Sequence, residues 1–255
     1  MNRIENSQRI AAKVAGVIGL LAFVVVVFGN YVLLSPLVVS GNAVETAQNF
    51  LAHQTQVRLA LICFLTYGVC AIVLLSALYV ILKPVGQMLA LMAALFRLVF
   101  AVLWLLTTLN LLGALRLLSN TPYLQAFEID HLQVLARLQI AASFDDYYVG
   151  LPFFGLAATF CAYLWFKSSY IPKSLAAFGV IASAWCVICA FIFLIFPGFN
   201  KIVNDYWFDS PMAIFELILS FWLLFKGIAI PNRNGMDGLR TPSTRALSAR
   251  LPVFF

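Results

Sequence analysis

The sequence predicts an all-α polytopic membrane helix bundle of six transmembrane helices with both termini cytoplasmic. Three observations predict it. Hydrophobic residues make up 63% of the chain and charged residues 10%, where a soluble domain carries roughly 25% charged residues. Six windows with few or no charges are each long enough to cross a hydrocarbon core about 30 Å thick, which takes ~20 helical residues. Lysine and arginine, finally, concentrate on one side of those windows.

Taken in order, the predicted spans are about 14–34, 59–82, 88–112, 147–166, 174–198 and 211–230. Each is apolar all round, whereas a barrel strand is about 10 residues long with alternating polarity, so helices are the expected element. The first window exceeds the ~7–15 apolar residues of a secretory signal and is followed by no clean small-x-small cleavage site, so it is expected to be an uncleaved span. Most connections are short and make consecutive helices antiparallel neighbours. The exception is the outer segment 116–146, where Leu124, Phe127, Leu132, Leu135, Leu138 and Ala142 recur at helical spacing; an amphipathic helix on the outer leaflet or capping the bundle is expected there. Residues 231–255 mix Pro, Gly, Ser, Asn and Arg, which suits a disordered basic tail held near anionic lipid headgroups.

Arg3, Arg9, Lys13, Lys83, Lys167, Lys173, Lys226, Arg233, Arg240, Arg245 and Arg250 fall on the side of the termini, against Arg58, Arg116, Arg137 and Lys201 on the other. The positive-inside rule then makes the termini cytoplasmic. The net charge of +6 is on this reading a topological signal, and no nucleic-acid partner is expected, since basic patches with interleaved aromatics are absent. The bilayer itself is the expected partner.

Three inner helix ends share an aromatic residue, a lysine and a following proline: Tyr79 with Lys83 and Pro84, Tyr163 with Lys167 and Pro172, Trp222 with Lys226 and Pro231. Snorkelling cations and helix breakers account for this more simply than duplicated hairpins. The segments ALYVILKPV (77–85), ALFR (94–97), FGLAATFCAY (154–163), SYIPKSL (169–175) and FELILSFWLLFKG (215–227) together resemble the bacterial six-span membrane family catalogued as domain of unknown function 4386. The resemblance runs over about residues 9–230. It implies a multi-pass protein of the bacterial inner (plasma) membrane and supplies no activity.

Arg97 and Glu216 are the ionisable residues deep in the spans. A charge at the bilayer centre costs about 2.5–3.5 kcal/mol on insertion scales, so such residues face the bundle interior and find a partner or a polar cavity. Helical rise puts the two within reach of each other, although Arg58 at the outer end of the second span competes for Glu216. Asn110, with Asn30, Thr107 and Thr108, adds polar groups better suited to interhelical hydrogen bonds than to ligands. No cofactor or metal is expected. His53 and His131 lie in outer segments, away from the helix positions haem ligation needs. Cys186 and Cys189 have thioredoxin-like spacing but sit mid-span without a thiolate-stabilising group. Asp145 and Asp146 read as a solvated helix start, and no zinc-protease, phosphate-loop, nucleophile-elbow or dinucleotide motif occurs.

These features favour a non-enzymatic bundle that binds, senses or stabilises. The alternative is a small-solute or ion transporter using the Arg97–Glu216 pair, with a lipid-modifying enzyme behind it because the inner loops hold almost no acids and no histidine. Topology is directly testable: alkaline phosphatase fused after Gly41, Gln125 or Asn204 is expected to be active, and after Gln87 or Ser169 inactive. Activity at Ser169 with silence at Asn204 overturns the both-ends-in arrangement.

Overall fold

The computed structural model describes residues 3–39, 41–119, 122–124, 126–196, 198 and 206–229. Helix α1 (Arg3–Val27) continues into a π-helical segment, Phe28–Leu34, and a 3-10 turn, Ser35–Leu37. The helices α2 (Ala43–Ala52), α3 (Gln54–Leu82), α4 (Gln87–Leu118), α5 (Ile129–Ser168), α6 (Lys173–Ile195) and α7 (Tyr206–Phe225) follow, and no strand occurs among the described residues. Six segments are long and apolar enough to cross a membrane: α1 with its continuation, and α3 to α7. The tail 231–255 lies outside the described residues.

Local chemistry sets the boundaries. Pro84 and Gly86 separate α3 from α4; α5 ends on Ser169 in the left-handed region at φ 57°, and Gly227, just past α7, has φ 70°. Pro172 stands immediately before α6. The short α2 opens with a reciprocal cap, in which the Glu45 N–H donates to Asn42 Oδ1 (3.1 Å) and Asn42 Nδ2 donates to Glu45 Oε2 (2.9 Å). It packs against α4 and α5, burying Thr46 and Phe50.

The six long helices form a ring. Each packs on the next, α1 on α3, α3 on α4, and so on to α6 on α7, and α7 returns to α1. Lipid tails are as apolar as leucine, so no hydrophobic force draws such helices together, and close contact depends on small residues. A Cβ built on Gly16 would lie 2.7 Å from the backbone N of Leu224 and 2.9 Å from its Cα, so only glycine lets α1 lie this close to α7. Gly179 similarly accepts the ring of Phe215 between α6 and α7.

The segment 116–146 differs from the expectation of a separate surface helix. Residues 129–146 are the first part of α5, which runs unbroken for 40 residues, about 60 Å at 1.5 Å per residue and twice the hydrocarbon thickness. Nothing between Ile129 and Ser168 stops the helix except Pro152, which it absorbs. Its buried stripe is Ala136, Ile140 and Ser143, whereas Leu135 and Leu138, expected on the apolar contact face, point outward. Thr107 Oγ1 donates to the Ser143 carbonyl (3.2 Å) and Asn110 Nδ2 to Asp146 Oδ2 (2.6 Å), pinning the end of α4 to this stretch.

At the face bearing the start of α1, the ring is filled. Gln8 is buried and donates from Nε2 to the Ile81 carbonyl (2.9 Å), beside buried Leu82, Trp165, Tyr170, Ile171 and Ile228. The Ala229 N–H closes this layer by donating to the Tyr170 carbonyl (3.1 Å).

The glycine contacts predict opposite signs for two alanine substitutions. Gly16→Ala meets immovable backbone and should lower the melting temperature in detergent by the equivalent of about 1–3 kcal/mol. Gly113→Ala meets only the flexible Gln139 amide at 3.4 Å and should be neutral or gain up to about 1 kcal/mol from helix propensity. Equal losses at both positions would refute the close α1–α7 approach.

Candidate functional site

A cavity of about 660 Å³ occupies the middle of the ring, lined by α1 and its π-helical continuation, α3, α4, α5 and α7. Along α7 its lining extends from Leu223 to Phe208 and Asp209, about 21 Å of helix. Beyond Ala15, Leu78 and Leu223 it is stopped by the buried layer around Gln8 and Trp165.

Arg97 and Glu216 meet across this space. Arg97 Nη2 donates to Glu216 Oε1 at 2.8 Å, joining α4 to α7, which are not ring neighbours. The arginine side chain is 6% exposed and the glutamate 30%, and both residues line the cavity. The guanidinium also lies over the Phe154 ring, 4.9 Å from its centroid, while Arg97 Nε has no hydrogen-bond partner. One carboxylate and one aromatic face therefore engage this cation.

Aromatic residues build the walls. Tyr67 and Trp104 lie 4.6 Å apart between ring centroids, Phe100 stacks on Phe154 at 4.6 Å, and Trp104 packs edge-on to Tyr147 at 6.0 Å. The order is fixed by polar atoms. Trp104 Nε1 donates to the Phe64 carbonyl (3.0 Å), and Tyr147 Oη donates to Asp209 Oδ2 (2.8 Å). Asp209 precedes Glu216 by two helical turns and shares its face of α7.

Of the residues singled out in the sequence, Arg97 and Glu216 are brought together, and Arg58 is exposed and takes no part in that ion pair. Asn110 is engaged by Asp146 and does not line the cavity. Asn30 and Thr107 do line it, whereas Thr108 Oγ1 donates back to the Trp104 carbonyl of its own helix (3.2 Å). Sequence reasoning missed Asp209, Tyr67, Trp104 and Tyr147. The seven-residue spacing of Asp209 and Glu216 was the available signal, obscured because Asp209 falls just outside the apolar window.

The model of a family described as "Domain of unknown function (DUF4386)" matches residues 14–227. The chain belongs to this family. The match takes in both members of the ion pair and every cavity-lining residue of this DUF4386 protein. A protein of Archaeoglobus fulgidus described as "Uncharacterized protein" is 26% identical over 151 residues, covering 59% of this chain and 73% of that protein. No solved structure matches the DUF4386 chain.

The ion pair predicts a non-additive mutant cycle. Arg97→Leu strands a carboxylate at the cavity and should lower the melting temperature by the equivalent of at most about 3–5 kcal/mol. Arg97→Leu combined with Glu216→Leu should recover part of that loss. Additive losses in the cycle would show that the two residues are not energetically coupled.

Proposed function

We propose that this chain is a membrane-embedded binding protein whose central cavity takes a lipophilic small molecule from the bilayer. The carrying observation is the cavity: it lies among the six apolar helices, is bordered by an ion pair whose arginine is buried, and combines mostly apolar walls with a few convergent polar groups, the usual make-up of a small-molecule site. A purely structural ion pair would be expected in a packed, closed bundle. In this reading the protein sits in a bacterial plasma membrane with both termini cytoplasmic, which the Lys/Arg asymmetry supports, and the basic tail meets anionic headgroups.

A second reading, transport, has one specific observation behind it. The cavity reaches Arg97 and Glu216 and is stopped at the face carrying Gln8, the one-sided geometry of a carrier resting in one of two states.

Binding is testable with a neutral fluorophore, 1-aminoanthracene, added to protein in nanodiscs. Saturable fluorescence enhancement is expected, and filling facing walls with Ala71→Phe and Ala213→Phe should weaken it about tenfold or more at unchanged folding. No saturable component above empty nanodiscs would overturn the binding reading.

A further inference from the structure

Several polar groups in the wall of the cavity are spent within the protein. Thr107 Oγ1 donates to the Ser143 carbonyl, Trp104 Nε1 to the Phe64 carbonyl and Tyr147 Oη to Asp209 Oδ2. Ser220 Oγ donates to the Glu216 carbonyl of its own helix. Tyr67 is different. It lines the cavity from α3 and is only 9% exposed, yet among the described residues its hydroxyl has no hydrogen-bond partner. Buried hydroxyls are seldom left alone in this way. The ring is held in place by its neighbours, with the Trp104 centroid at 4.6 Å and that of Phe100 at 6.4 Å, so the hydroxyl is presented to the cavity by a fixed frame.

The surroundings of Tyr67 narrow what it can meet. It lies close enough to Arg97 and Glu216 to feel the charge of both. The guanidinium gives Nη2 to Glu216 Oε1, and its Nε has no acceptor. A guanidinium can only donate and a phenol has one proton to give, so the closely buried groups beside the ion pair call for an acceptor. Full charge on that acceptor is disfavoured, because the pair presents both signs side by side. An anion drawn to Arg97 meets Glu216, and a cation drawn to Glu216 meets Arg97. Much of the remaining lining is ring or aliphatic surface, including Phe100, Trp104, Ala22, Val26 and Leu219.

We infer that the cavity takes a neutral ring compound carrying a carbonyl oxygen, a ketone or quinone in chemical class, whose oxygen accepts from Tyr67 Oη and whose ring lies among these apolar side chains. This rests on the binding reading above and assigns its ligand class. A carbonyl only accepts, so it satisfies Tyr67 without bringing a proton that needs a partner of its own. Tyr67 is then a specificity-determining residue, which separates a ketone from the hydrocarbon of the same shape.

Fluorenes that differ at one carbon test the inference: fluorene, 9-fluorenone, 9-fluorenol, fluorene-9-carboxylate and 9-aminofluorene. Each is titrated against 1-aminoanthracene bound to the full chain in phosphatidylcholine nanodiscs, with the signal from empty nanodiscs subtracted and concentrations referred to the bilayer. Fluorenone is expected to displace the fluorophore about three- to tenfold more strongly than fluorene, and Tyr67→Phe, which keeps the ring and its contacts, should abolish that difference while leaving fluorene unchanged. Should Tyr67→Phe not fold, fluorenone labelled with carbon-13 at the carbonyl decides. Its resonance should move downfield on binding to the wild-type protein, as a hydrogen-bonded carbonyl does, and an unshifted resonance overturns the assignment. Equal displacement by ketone and hydrocarbon, or a ketone preference unmoved by Tyr67→Phe, overturns it as well. So does stronger displacement by the alcohol, the carboxylate or the amine, which would assign the site to a donor, an anion or a cation. In each of these cases the fluorophore still reports a binding cavity. If the fluorophore itself does not bind, the binding reading has failed and this inference with it.

Discussion

The Arg97–Glu216 ion pair is the constraint around which the bundle is organised. A full charge in the hydrocarbon region is tolerated only with a partner or water, and this partner stands on a helix across the ring rather than beside it. Two helices joined through side chains over such a distance cannot also pack backbone to backbone. The hollow centre and the pair are therefore one feature: the charges need the space, and the space needs a tie across it.

Packing elsewhere compensates for that hollow. Glycines bring α7 against α1 on one side and against α6 on the other, so the helix carrying Glu216 is clamped from both flanks. At the Gln8 face a buried polar layer and Trp165 fill the ring. The other half is held by discrete polar bonds, Thr107 to Ser143, Asn110 to Asp146 and Tyr147 to Asp209, which fix helix positions without filling the middle. The frame is thus closely packed at the Gln8 face and tied by polar bonds at the other, around an unfilled centre.

The spans were legible because they depend on one additive property, the transfer cost of consecutive residues into hydrocarbon. The ion pair was legible for a related reason, since two charges deep within six apolar runs have few ways of avoiding isolation. What sequence could not deliver depends on which faces meet. Leu135 and Leu138 have the periodicity of a buried stripe, yet α4 packs on the alternative stripe of Ala136, Ile140 and Ser143, where smaller residues admit a closer helix. The π-helical turn at Phe28–Leu34 is invisible to periodicity for the same reason: its cause is the fit of Gly29 against Cys63 and Phe64, residues of another helix. Asp209 falls just outside an apolar window, yet its Oδ2 receives the Tyr147 hydroxyl at the cavity edge.

The separation of roles within α7 follows from these contacts. One stripe of the helix carries Asp209 and Glu216 to the cavity, and the opposing demands of charge and lipid leave Ile218 and Phe221 facing outward. Between them, Ser220 Oγ donates to the Glu216 carbonyl (2.7 Å) and stands beside Gly19 of α1, so the polar stripe ends where the two helices close together. The depth of the ion pair is thereby linked to the close contact of α1 with α7 at Gly19. A change at Gly19 or Ser220 therefore acts on the packing of α1 against α7 and on the backbone that carries Glu216 at once, which ties the position of the cavity carboxylate to a single helix contact.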